Sequence, residues 1–141
     1  MRNILYIVLF VLTVRLTLAA ELSIYQIQNT ADPQGNSPWA GQVVDCAGGI
    51  VTHKFPGYRP KFTLQMSDTA LPAGNAFRAV QVKDWLSGSP LFNMVNTGDF
   101  VSLKNLYVEE YRGNTILQAW SQYDPQVTIH SNANILPRPL I

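Results

Sequence analysis

Cysteine occurs once in the 141 residues, at Cys46, so no intramolecular disulfide can form and stability has to come from packing. Its neighbours Val43, Val44 and Ala47 mark it as a small buried apolar residue rather than a reactive thiol. Histidine occurs twice, as His53 and His130, far apart and with no second His, Cys or Asp at ligand spacing, which argues against zinc. Asp32 and Asn36, in "ADPQGN", lack the alternating oxygen ligands and terminal Glu of an EF-hand and read as turn formers. No metal and no cofactor is expected. The chain also lacks internal repeats and low-complexity blocks, and beyond its first twenty residues it has almost no helical periodicity.

Nor is there a hydrophobic run long enough to span a membrane. The apolar stretch Ile4 to Val14 falls well short of the roughly 20 residues a spanning helix needs, and Arg15 follows directly. With Arg2 before it and Ala19-Ala20 behind it, the stretch has the form of a secretory signal peptide; an uncleaved anchor is the alternative. The expected organisation is a signal peptide over 1–20, one β-barrel domain over 21–130, and a loose tail over 131–141. A secreted, periplasmic or cell-envelope location follows. Removing the leader takes two of the ten basic residues and none of the nine acidic ones, so the mature chain is near net −1. Sequence-independent nucleic-acid binding depends on a basic surface, and here any such surface must be local.

What the chain does have is period-two alternation, in short segments bounded by Gly, Pro and Asn. In Phe62-Thr63-Leu64-Gln65-Met66-Ser67 the apolar residues share one face and the polar ones the other. Gln42 to Thr52 gives the first strand, and its Gly48-Gly49 predicts a bulge or bend that lets it serve two sheets. Val80 and Val82 mark a third strand, Val101 and Leu103 a fourth, and Ile116 to Trp120 a fifth. Between the third and fourth, Leu91, Phe92, Met94 and Val95 have the spacing of one side of a short helix. Ser23 to Gln28 reads as a leading strand or turn, and Val127 to Ile129 as one more short strand. The fold class is all-β: a five-stranded Greek-key OB-fold barrel with a short helical element between strands three and four, the alternative being a small open sandwich.

The segments "SIYQIQNTADPQGNSPWAGQ", "GGIVT", "FTLQMSD" and "GDFVSL...VEEYRGNT" resemble OB-fold domains of secreted bacterial proteins, over roughly Leu22 to Trp120. Some members of that group sit beside extracellular nuclease or phosphoesterase domains, so the resemblance implies nucleic-acid binding. Met66 stands where the group usually has an acidic residue, and Asn105 replaces a common glycine.

No nucleophile with a base, carboxylate pair or metal cluster emerges, so no enzymatic activity is expected. Glu109 and Glu110 are consecutive strand residues, point to opposite faces and cannot meet across one substrate. The stretch with most binding character is "HKFPGYRPK", which interleaves Lys54, Arg59 and Lys61 with Phe55 and Tyr58. In such a barrel it is the loop between strands one and two, and it flanks the ligand face together with the loop between strands four and five, Glu110 to Asn114, which carries Tyr111 and Arg112. Gln65 and Arg78, with Thr63 and Gln81, extend the expected site along the strands, although solvated strands alternate in the same way. Trp39, Trp85 and Trp120 read as core or barrel-end residues. The expected role is a non-catalytic, monomeric binding module. Its ligand is single-stranded nucleic acid or an oligosaccharide; a structural or adaptor domain with a protein partner is the rival.

Overall fold

The computed structural model describes residues 19–67 and 77–138. All but the last two residues of the expected signal peptide therefore lie outside the described part. Five strands close a barrel: β2 (Val43–Phe55), β3 (Lys61–Gln65), β4 (Ala79–Asp84), β5 (Phe100–Tyr111) and β6 (Asn114–Ala119). Their order around the barrel is β2-β3-β4-β6-β5, and an antiparallel β2–β5 pairing completes the circuit. This is the Greek-key OB-fold expected from the alternation, and the closure rules out an open sandwich. Two short strands are added outside it. β1 (Ala20–Leu22) pairs in parallel with Val44 to Cys46, and β7 (Gln126–Ser131) pairs antiparallel with β5.

Closure depends on the bend in β2. Its first part pairs with β5 up to Ile50, and from Ile50 onward it pairs with β3. The register slips between Cys46 and Gly49, the site of the glycine pair. A Cβ on Gly49 would lie 2.7 Å from Ile24 Cδ1 and 3.1 Å from the Gln65 carbonyl oxygen, so the strand can press this close only without a side chain. On β5 the opposing irregularity holds Asn105 at φ +60, a left-handed conformation that asparagine tolerates and glycine adopts freely. The Asn105 N–H donates to Asp45 Oδ1 at 2.9 Å.

The inward positions pack one core. Phe62 and Leu64 of β3, Val80 and Val82 of β4, Val101, Leu103, Leu106 and Val108 of β5, and Leu117 of β6 are buried. Each such side chain contributes roughly 1.5 to 3 kcal/mol relative to exposure. Cys46 is buried among them, as its neighbours implied.

Two helical plugs cover the barrel. The segment expected as a leading strand or turn is instead a helix, α1 (Ile24–Gln28). Ser23 Oγ accepts from the Gln26 N–H and Gln26 Oε1 accepts from the Ser23 N–H, a capping box that fixes the first turn. Ile24 and Ile27, three apart, then share the buried face. The second plug, α2 (Pro90–Met94), lies between β4 and β5 as expected. Leu91 and Val95 are buried, but Met94, expected on the same side, is exposed. The buried Asp84 carboxylate positions this plug by accepting from the N–H groups of Leu86 and Phe92, each at 3.0 Å.

The segment after β7, expected to be loose, is tied to the barrel as far as Arg138. The Asn134 N–H and side-chain amide both donate to the Gly98 carbonyl at 2.9 Å, and Gln65 Nε2 donates to the Arg138 carbonyl at 2.8 Å.

Candidate functional site

The outward face of β3, β4 and β6 carries a ladder of side chains set by strand parity. Lys61 of β3 stands directly opposite Lys83 of β4, and Thr63 opposite Gln81. On the other side of β4, Gln81 aligns with Ile116 and Lys83 with Gln118 of β6. A groove of about 600 Å³ runs over this face, lined among others by Lys61, Thr63, Gln81, Ile116 and Tyr111. Of the two loops expected to flank the ligand face, the tip between β5 and β6 lines this groove through Tyr111, Gly113 and Asn114, and the loop between β2 and β3 leads directly into Lys61. The loop between β2 and β3 carries Tyr58 and Arg59, and the tip between β5 and β6 carries Tyr111 and Arg112.

The first loop is built around a guanidinium between two rings. Arg59 Cζ lies 4.5 Å from the ring centre of Tyr58 and 4.5 Å from that of Trp85. Arg59 Nη2 reaches Tyr58 Oη at 3.3 Å, while Arg59 Nε is buried without a hydrogen-bond partner. Tyr58 is 88% exposed. Lys83 Nζ sits 4.6 Å from the Trp85 ring centre, and Lys61 Nζ lies 5.4 Å from the Phe55 ring centre and 3.4 Å from Gln81 Oε1. The indole N–H of Trp85 donates to Gln118 Oε1, and Gln118 Nε2 donates to Glu109, so the ring is held over the face by a chain of amide and carboxylate.

The second loop is a two-residue hairpin tip. Tyr111 pairs with Asn114, and the central residues Arg112 and Gly113 have φ +51 and +77, both positive as in a type I′ turn. Asn or Asp is the favoured first residue of such a turn, so Arg112 costs local stability, the kind of departure found at functional positions. Its guanidinium lies 5.3 Å from the Tyr111 ring centre. Glu110, next to the tip, is occupied structurally: its Oε1 accepts from the Ser37 N–H at 2.8 Å and from Thr115 Oγ1 at 2.6 Å.

Tyr58 and Arg59 group with Trp85 and Lys83, Lys61 with Phe55 and Gln81, and Arg112 with Tyr111, which lines the same groove as Lys61 from the opposite end of the strands. Three expected residues fall elsewhere. Lys54 turns toward the plug helix, where Nζ donates to the Val95 carbonyl at 2.6 Å and lies 4.2 Å from the Phe92 ring centre. Gln65 and Arg78 are buried instead of lining the wall, each 5% exposed. The chain returning after β7 covers Gln65, which strand parity alone had placed outward.

Lys83 and Trp85 are the residues sequence reasoning missed as site members. A signal for Lys83 was present, because Ala79, Gln81 and Lys83 share the outward parity of β4. Among the described residues, the partners of Arg59, Lys61, Lys83 and Arg112 are rings and neutral oxygens, with no carboxylate. Cations that meet no carboxylate among the described residues, set beside the rings of Tyr58, Trp85 and Tyr111, can hold an anion that also presents flat groups.

No family model and no curated protein matches this chain. Among solved structures it is similar to Schizosaccharomyces pombe Pot1pC bound to ssDNA, with a TM-score of 0.49 and 10% identity over 64% of this chain and 79% of that one. It is similar to fission yeast Pot1 with ssDNA at the same score and identity, where it spans 36% of that chain. An OB domain from Methanosarcina mazei gives a TM-score of 0.46 and 14% identity over 66% of this chain and 76% of that one. The fold stands on strand order and closure, and the nature of the ligand on the side chains just described.

Proposed function

We propose that this protein, exported and freed of its leader, binds single-stranded nucleic acid across the outward face of β3, β4 and β6 and performs no chemistry on it. The carrying observation is the pair Lys61 and Lys83, two cationic residues in direct cross-strand register whose ammonium groups meet, among the described residues, only rings and a neutral amide. Such a pair destabilises a sheet. A phosphate placed between the two ammonium groups turns that cost into binding energy. The rings supply the second half of the reading. Tyr58 and Trp85 flank Arg59 and Lys83, Tyr111 lines the far end of the same groove as Lys61, and stacking on aromatic rings beside a cationic track is how single strands are held without base readout. A duplex would offer its phosphates but not its base faces.

The test is binding of a labelled oligodeoxythymidylate to the chain from Ala20 onward, at about 50 and about 200 mM salt. Affinity should fall steeply with salt, by a slope of about −0.7 per phosphate engaged. Lys83→Ala should lower both affinity and slope, whereas Tyr58→Ala should lower affinity and leave the slope nearly unchanged. Binding of no single strand at low salt, or salt-insensitive binding of a neutral oligosaccharide in its place, would overturn the reading. N-terminal sequencing of the exported protein, expected to begin at Ala20 or Glu21, checks the export; an intact Met1 would refute it.

A further inference from the structure

Strand register draws a line across the sheet. Lys61 of β3 pairs with Lys83 of β4, Lys83 with Gln118 of β6, and Gln118 with Tyr107 of β5. These four residues form one row across four strands, and with strands about 4.8 Å apart the row is roughly 14 Å long. It begins at the opposed cations and ends at a ring stack. Tyr107 stacks on Trp120 with centroids 4.5 Å apart and planes 20° apart. A 3-10 turn, Ser121–Tyr123, directly after Trp120 brings Tyr123 back parallel to Tyr107, at 6.0 Å and 4°.

Between the two ends stands Trp85. Its indole lies over the cations and is bonded to Gln118, the third member of the row. It also borders a shallow hollow of about 330 Å³ shared with Trp120, Ser121 and Gln122. Trp85 is therefore common to the cationic face and to the ring stack, and the hollow is the space between them. Neither Trp85 nor Trp120 belongs to the barrel core.

We infer that the bound strand does not end at the groove between the two loops but continues past Trp85 into this hollow and stacks a further base on the Trp120 cluster. The inference rests on the nucleic-acid reading above and adds a second platform to it. The row fixes the order of contacts: phosphates at Lys61 and Lys83, then a base beside Trp85, then a base at Trp120. Ser121 and Gln122, both exposed, offer a hydroxyl and an amide at the edge of the hollow.

The experiment compares oligodeoxythymidylates of about four and about ten nucleotides, lengths within the range of single OB-fold site sizes. Trp120→Ala should weaken the longer strand roughly 5- to 150-fold, the loss of one stacked base, and leave the shorter one within about twofold. Because Trp120 also packs on Tyr107, Ser121→Asp serves as a second variant. It changes an exposed turn residue, keeps the ring stack, and should repel the backbone of the longer strand alone. Lys61→Ala should weaken both lengths. If Trp120→Ala and Ser121→Asp leave the longer strand bound as tightly as the parent while Lys61→Ala weakens it, the footprint stops at Trp85 and the inference is wrong. Equal losses for both lengths would make the stack the primary site and also overturn it. A parent that binds neither strand removes the underlying reading instead.

Discussion

At Cys46 a single thiol ties stability to pH. Burial pushes its pKa from 9.0 up to about 11, because an ionised sulfur cannot be hydrated inside the barrel, with a small opposing effect from a backbone hydrogen bond at Gly48. The folded state thus favours the neutral thiol, while the unfolded chain ionises near 9.0. The contribution is fully present below the unfolded pKa and is lost as pH rises toward about 11, an effect of about 2 to 3 kcal/mol. Cys46→Val removes the titration, and its slightly larger side chain changes stability by an amount that does not depend on pH. Urea unfolding of parent and variant should give a stability difference that shifts toward the variant between pH 9.0 and 11 and stays constant below. Parallel curves across that range would show that the thiol is not desolvated. The same scale explains where the site was hidden. Parity placed Gln65 outward, but parity knows nothing of the returning chain that covers it through Arg138. Arg59 was legible as a loop cation, yet its stacking partner Trp85 comes from the far end of β4, and nothing local pairs them.

Among the elements, alternation located the five barrel strands because each has one wet face and one dry one. It misread α1, since Ile24 and Ile27 fit a helix at a spacing of three while the intervening polar residues imitate alternation. Ser23 and Gln26 held the deciding signal, a capping box visible in the sequence. In β2 the glycine pair did announce the bend, and the close approach of Ile24 Cδ1 and the Gln65 carbonyl gives it a measurable cost. Gly49→Val must push either α1 or β3 away, with overpacking of about 1 to 3 kcal/mol. We expect the melting temperature to fall by roughly 10 °C, and α1 to lose amide-exchange protection first. An unchanged melting midpoint would mean that β2 does not press on α1 and β3 at this point. Gly35 has no neighbour within 4 Å of an added Cβ, so steric crowding plays no part there, although its φ of +77 would still strain a side chain.

For the whole molecule, the all-β class, the succession of strands along the chain and a plug between β4 and β5 were all readable, because each is set by local pattern. The face that unites the candidate site was not. It depends on which strands become neighbours, and β4 lies beside β6 only after the chain has crossed over through α2 and β5. The seam that closes the barrel has a kinetic consequence as well. Val43 finds its partner in Tyr107, so nearly the whole barrel sequence must be available before the first strand can complete its hydrogen bonds. Contacts this distant along the chain carry a large loop-closure entropy before they return any energy, which places folding in the slow, millisecond-to-second class of small β proteins. Until then β2 is an open edge able to take up any unpaired strand, including the β5 of another copy. The β2–β5 seam that completes the circuit is thus also where the nascent chain is open to exchanging strands with its neighbour.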